Sequence, residues 1–260
     1  MPVRSEYQQG EFCWVDLMAH DMAAAKEFYG KLFGWAVFDA DTRGGPPYAM
    51  FLNDGGMVAG LGETPAEMRS AGAPPTWNSY IAVDDVQATT ARAADLDGTV
   101  AMPPMQILSA GSMAVLQDPT GAFVFLWQKD EHAGAQRIGD PGTVCWNELA
   151  TRDIAKARAF YGGLVGWEFA PHEGTPTEYS IIKVADRDGG GLMQMNEMWG
   201  DMPSHWMVYF AVEDIDASCE QLKQLGGTVH MPPFAISVGR IAVVADPQGA
   251  VFSLIQLAGE

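Results

Sequence analysis

The chain has 260 residues, 48% of them hydrophobic and 18% charged, with a formal net charge of −18. That composition describes an ordinary folded protein, with room for one large domain or two of about 130 residues. The acidity argues against a nucleic-acid partner, which needs clustered Lys and Arg, and against adhesion to an anionic membrane surface.

No apolar run approaches the roughly 20 residues of a membrane span. The opening stretch MPVRSEYQQGEF lacks the apolar centre of a signal peptide, so a cytoplasmic location is expected. After this polar tail, residues 13–18 alternate in the two-residue period of a strand. Asp21 then reads as a helix N-cap, with Ala25, Phe28, Tyr29 and Leu32 on one face and Gly34 where the helix ends. The face carrying Cys13, Val15 and Leu17 is expected beneath that helix, which turns Trp14 and Asp16 to the opposite face of the sheet. Trp35 opens a second strand, and short strands follow at 48–52 and 57–61. Residues 63–75, with Pro and Gly throughout, read as a loop. A second unit starts with a strand at 77–83. Asp84 or Asp85 starts its helix, whose stripe is Val86, Thr89, Ala93 and Leu96 and which Gly98 closes. Strands at 113–116 and 122–127 follow, joined by the D-P-T-G turn at 118–121. The charged, glycine-containing stretch 129–142 is the candidate domain boundary.

The second half repeats this plan. Residues 145–167 match 13–35 at 12 of 23 aligned positions, so the chain is an internal duplication. The same parity turns Trp146 and Glu148 away from the helix. Residues 206–212 parallel 77–83, and the helix after Asp214 carries Ile215, Cys219, Leu222 and Leu225 and ends at Gly226–Gly227. Met231-Pro232-Pro233 parallels Met102-Pro103-Pro104, and a D-P-Q-G turn at 246–249 parallels D-P-T-G. The expected fold is α+β: four strand–helix–three-strand (βαβββ) modules forming two tandem cup-shaped mixed sheets with outer helices, in domains 10–129 and 142–258. The three cysteines, two at equivalent repeat positions, read as buried thiols.

These stretches resemble the vicinal oxygen chelate superfamily, which includes glyoxalase I, bleomycin-resistance proteins and extradiol dioxygenases. The carriers are D-x-x-x-A-x-x-F-Y-x-x-L-x-G-W at 21–35 and 153–167, the A-V-D-D and A-V-E-D strand ends, and the D-P-x-G-A turns. The closer resemblance is to actinobacterial proteins with two glyoxalase-like domains. It implies glyoxalase-like cups whose metal ligands come from the first strand of each module and the last strand. Mapped onto this sequence, those positions hold Trp14, Asn78, Phe125, Trp146, Met207 and Ser253. Divalent metals need imidazole, carboxylate or thiolate donors, so no family-type metal site and no cofactor are expected.

Strand parity places His205 on the face of Met207 and Tyr209. If the first strands of paired modules meet in the cup, Glu148 and His205 converge there as an acid–base pair or as two ligands of a displaced metal. The competing reading makes Glu148 a hydrogen-bonded rim residue and His205 a loop residue. Asp16 and Asn78 are the first-half counterparts and have no imidazole. His20, His132, His172 and His230 read as solvated loop residues. Arg240 either grips an anionic group of a ligand or is a surface residue. Trp14, Trp146, Tyr80 and Tyr209 suit an aromatic wall for a flat organic ligand; Trp77 and Trp206 have the opposite parity.

The expected function is metal-independent binding of a small apolar or aromatic molecule in one or both cups, the second cup being the working one, by a monomer or homodimer. The alternatives are a metal-dependent lyase, isomerase or dioxygenase using a displaced site, and a scaffold protein with vestigial cups.

Overall fold

The structure, a computed structural model, describes residues 3–175 and 177–259. The first half contains β1 (Phe12–Ala19), α1 (Met22–Phe33), β2 (Ala36–Asp39), β3 (Tyr48–Asn53), β4 (Gly56–Glu63), the short α2 (Ala66–Ser70), β5 (Thr76–Ala82), α3 (Val86–Asp95), β6 (Thr99–Ile107), β7 (Gly111–Gln117) and β8 (Phe123–Lys129). The second half contains β9 (Val144–Thr151), α4 (Ile154–Val165), β10 (Glu168–Pro171), β11 (Tyr179–Val184), β12 (Arg187–Gln194), β13 (His205–Ala211), α5 (Ile215–Gln224), β14 (Thr228–Ile236), β15 (Gly239–Ala245) and β16 (Val251–Leu257). Each major helix starts on an aspartate, Asp21, Asp85, Asp153 or Asp214, whose carboxylate accepts the amide hydrogen three residues on. Gly34 and Gly166 end α1 and α4 with φ of 72° and 78°, a conformation that costs glycine little.

Each half closes its own mixed sheet of eight strands, in the orders β2-β3-β4-β1-β5-β8-β7-β6 and β10-β11-β12-β9-β13-β16-β15-β14. The first strands of paired modules, β1 with β5 and β9 with β13, lie antiparallel at the centre of each sheet. Strand β6 and its counterpart β14 run through Met-Pro-Pro, which the sequence reading did not place in strands. They form sheet edges, and the register shifts around the prolines, so a missing amide donor is tolerated there.

The helices cover the outer face of each cup, and the two outer faces are packed on one another. The molecule is therefore two sheets with helices between them. One core joins Phe28, Tyr29 and Leu61 of the first half to Phe210, Leu222 and Phe252 of the second; the other joins Leu116 and Leu126 to Phe160, Leu164 and Trp206. The polar contacts between halves are reciprocal. Tyr29 donates to Asp246 of the second D-P-x-G turn at 3.1 Å, and Tyr161 donates to Asp118 of the first at 2.9 Å. Trp35 donates to the Gly142 carbonyl and Trp167 to the Gly10 carbonyl, both at 2.7 Å. Where the sheets meet directly, Asn147 stands at the apolar position of Val15, and its amide oxygen accepts from Ser79 at 2.7 Å. Among the described residues no helix is long and apolar enough to cross a membrane.

One parity expectation fails locally. The β1–β5 register slips between Phe12 and Trp14, so Cys13 leaves the helix side and packs with Tyr7, Trp14 and Ala135, while Phe12 rests on Trp167 and Trp206. All three cysteines are free thiols.

Candidate functional site

The same arrangement stands on the open face of each cup. In the second cup Glu148, buried on β9, accepts from Tyr179 at 2.7 Å and Tyr209 at 2.8 Å. The Trp146 indole N–H donates to the Tyr179 hydroxyl at 3.1 Å. Tyr209 lies opposite Trp146 and beside Ser253, and Met207 lies opposite Glu148. Tyr179 reaches across β12 because residue 191 is glycine: a Cβ there would stand 1.9 Å from the tyrosine hydroxyl.

In the first cup Asp16 accepts from Tyr80 at 2.7 Å, Asn78 at 2.9 Å and Tyr48 at 3.2 Å. Trp14 donates to Tyr48 at 3.1 Å, and Gly60 makes the same room for that tyrosine that Gly191 makes for Tyr179. Phe125 packs on Tyr80, and Trp127 follows on the same face. Burial pushes both carboxyls, Asp16 and Glu148, above the usual range, against the hydrogen bonds that favour their charged forms. Burial and the adjacent carboxylate raise Tyr48, Tyr80, Tyr179 and Tyr209, so these phenols stay protonated as donors.

Tyr48 and Tyr179 were not among the sequence-derived candidates. A usable signal was present: Tyr48 with Gly60 recurs as Tyr179 with Gly191 at one shared offset. His132, read as a solvated loop residue, is instead inserted against the first cup. Its ring stands edge-on to Trp14 at 4.6 Å and 5.8 Å from Trp127, and the Trp127 indole donates to its carbonyl at 2.8 Å. The first cup thus has an imidazole after all, supplied from the chain between the halves.

The pairing of Glu148 with His205 does not form. Both Glu148 oxygens are bound by tyrosines, whereas His205 pairs with Ala150 farther along the ladder and its Nδ1 meets the Pro203 carbonyl at 2.9 Å. Arg240, open to a ligand-gripping or a surface reading, points to the helix side and grips Asp216 of α5 with both Nη atoms, at 2.6 and 3.0 Å. Its parity is that of Ala242 and Val244, which belong to the core. A surface groove of about 530 Å³ beside the start of α1, lined by His20, Asp21, Lys26, Asp39 and Glu63, shares no residue with either cluster.

The metal implied by the family does not fit these residues. The mapped positions carry indole, amide, phenyl, thioether and hydroxyl groups. The neighbouring carboxylates are engaged by phenols, and no three His, Cys, Asp or Glu side chains converge among the described residues.

The description Glyoxalase/Bleomycin resistance protein/Dioxygenase superfamily matches residues 12–125 and 138–254. The chain is 44% identical over 259 residues to "Putative glyoxylase CFP32" of Mycobacterium bovis, covering 98% of each. It is 35% identical over 263 residues to "Anthracycline biosynthesis protein DauV" of Streptomyces sp. strain C5, covering 97% of this chain and 95% of that one. In fold it is similar to the Mn(II)-bound glyoxalase from Novosphingobium aromaticivorans, with a TM-score of 0.67 at 17% identity, covering 96% of this chain and 82% of that one. The 2,3-dioxygenase LapB from Pseudomonas sp. KL28 gives a TM-score of 0.64 at 12% identity, covering 98% and 94%. With the repeat, the paired sheets and these matches together, the chain belongs to the Glyoxalase/Bleomycin resistance protein/Dioxygenase superfamily as two tandem domains.

Proposed function

We propose that this protein binds a small, flat, largely apolar molecule in a cup without a metal ion. The observation that carries this reading is a buried carboxylate held by two tyrosine hydroxyls beside a half-buried tryptophan, Glu148 with Tyr179, Tyr209 and Trp146, where the family places a metal. An indole face recognises a flat ring, and a buried carboxylate with acceptor capacity left recognises an N–H or O–H on its edge. The name of the Streptomyces relative, in anthracycline biosynthesis, supports polycyclic hydroxyaromatics as the first compounds to try. The net charge of −18 supports action without nucleic acid or an anionic membrane surface.

The test is a titration of chelator-treated protein with hydroxylated naphthalenes and anthraquinones, followed by tryptophan fluorescence. Binding is expected to survive chelation and to weaken by about 10-fold or more in Glu148→Ala. Binding that disappears with chelator and returns with a divalent metal sinks the proposal. The burial that lifts the Glu148 carboxyl above the usual carboxylate range also favours a second reading, in which that carboxylate moves a proton within the bound molecule. Glu148→Gln separates the two: its amide oxygen still accepts a hydrogen bond but the side chain can no longer take up a proton, so retained binding with lost turnover selects proton transfer.

A further inference from the structure

The two cups descend from one repeat, so their differences can be read rung by rung. Opposite Tyr80 stands Phe125, and opposite Tyr209 stands Ser253. Opposite Ala82 stands Trp127, and opposite Ala211 stands Ile255. The second cup has therefore given up two large rings that fill the first. The third ring is that of His132, held between Trp14 and Trp127. It arrives on the segment 130–140, fastened across the end of β1 as a strap. Ala135 N–H donates to the Cys13 carbonyl at 2.8 Å, Gln136 N–H to the Met57 carbonyl at 2.7 Å, and Tyr7 to the Ala135 carbonyl at 2.6 Å. Gly134 allows the close approach, since a Cβ there would lie 2.3 Å from the Cys13 carbonyl oxygen.

Under this strap Trp14 is only 5% exposed. Its counterpart Trp146 is half-buried, and no ring stacks on it among the described residues. The polar groups differ in the same sense. Asp16 is engaged by three donors; Glu148 has two, because Met207 replaces Asn78. Ser253 is fully buried beside Tyr209, with an Oγ that lacks a well-formed hydrogen bond.

We infer that the strap is a built-in occupant of the first cup, the His132 ring standing in for a ligand ring, and that the one cup left for a small molecule is the second. The ligand's flat face would lie on the half-buried Trp146 indole, displacing the side chains that now cover Tyr209, Ser253 and Ile255, with Glu148 accepting a hydrogen bond from the ring's edge. The ligand class is a flat aromatic with an N–H or O–H donor and one face free to lie on indole. This rests on the proposed binding function for the second cup; the occupancy of the first cup stands independently.

The experiment uses the full chain and 2-naphthol, a flat ring with one O–H, as probe. Calorimetric titration is expected to give one site per chain in wild type, weakened about 10-fold or more by Trp146→Leu. His132→Gly is expected to add a second site that survives in the His132→Gly/Trp146→Leu double variant. Two sites in wild type, or no added site in His132→Gly, overturns the inference. A wild type that binds nothing while His132→Gly binds one equivalent supports the strap and overturns the binding reading for the second cup. Amide hydrogen exchange in the wild type reads the strap even if the variants fold poorly. Protection of Ala135 and Gln136 comparable to the β1 amides is expected, and exchange at the rate of an exposed loop refutes the strap.

Discussion

Gly191 decides whether the second site exists, although it carries no side chain. Its backbone angle is not one reserved for glycine, so alanine fits the strand; the collision is with the Tyr179 side chain, whose hydroxyl and Cζ would lie 1.9 and 2.6 Å from the new Cβ, with Trp146 Nε1 tight at 3.1 Å. Gly191→Ala is expected to cost about 1–3 kcal/mol in denaturant unfolding, as overpacking does, and to displace Tyr179 from Glu148. In a Tyr179→Ala background most of that cost should vanish, because the colliding ring is gone; an unchanged cost would refute the steric account. Part of this cluster was readable from the chain. Strand parity placed Trp14, Asp16, Trp146 and Glu148 on one face because the neighbouring helix fixes which side is covered. Tyr48 and Tyr179 escaped because they reach the carboxylates from strands two places away, and periodicity within a strand says nothing about such reach.

At the scale of elements, the strap shows what composition hides. Residues 129–142 are charged and glycine-containing, which marks a connection but not its path. That His132 enters an aromatic slot depends on Gly134, Tyr7 and the free end of β1 meeting in space. The edge strands β6 and β14 were hidden for a related reason: Pro-Pro forbids a central strand and permits an edge. The strap carries its own pH signature. Burial pushes His132 from 6.5 down to about 4, so between those values the unfolded chain binds more protons than the folded one. Stability conferred by the neutral ring is complete above about pH 6.5 and is lost as the pH falls toward 4, by at most about 3 kcal/mol. Asp16 and Glu148, raised by burial, act in the opposite sense, losing stability as pH rises through their folded values. Comparing thermal midpoints of wild type and His132→Gln at pH 7 and pH 5 isolates the histidine. The wild type should lose more on acidification, and equal losses would contradict a buried neutral ring.

For the molecule as a whole, the F-Y and D-P-x-G motifs have a role that the sequence did not disclose. They were legible as a family signature, and the duplication was legible in full. That the tyrosine of each half clasps the turn of the other is a fact of assembly between repeats, to which one-dimensional pattern is blind. Removing one clasp, in Tyr161→Phe, unpairs the indole N–H of Trp206 and one oxygen of Asp118, and is expected to cost about 1–3 kcal/mol. Because both cores draw on both halves, calorimetry should show one unfolding transition; two separated peaks would mean the halves fold independently. The reciprocity also bears on ancestry. Contacts in which each copy offers the other the same residues are those of an isologous two-fold pair, so the chain has the form of a homodimer joined end to end. A symmetric dimer encoded by one gene must change both binding sites at once, since every substitution appears twice. Fusion ends that obligation, and each site can then drift under separate selection, which is how one repeat can hold Phe125 where the other holds Ser253 and only one cup acquire a stopper.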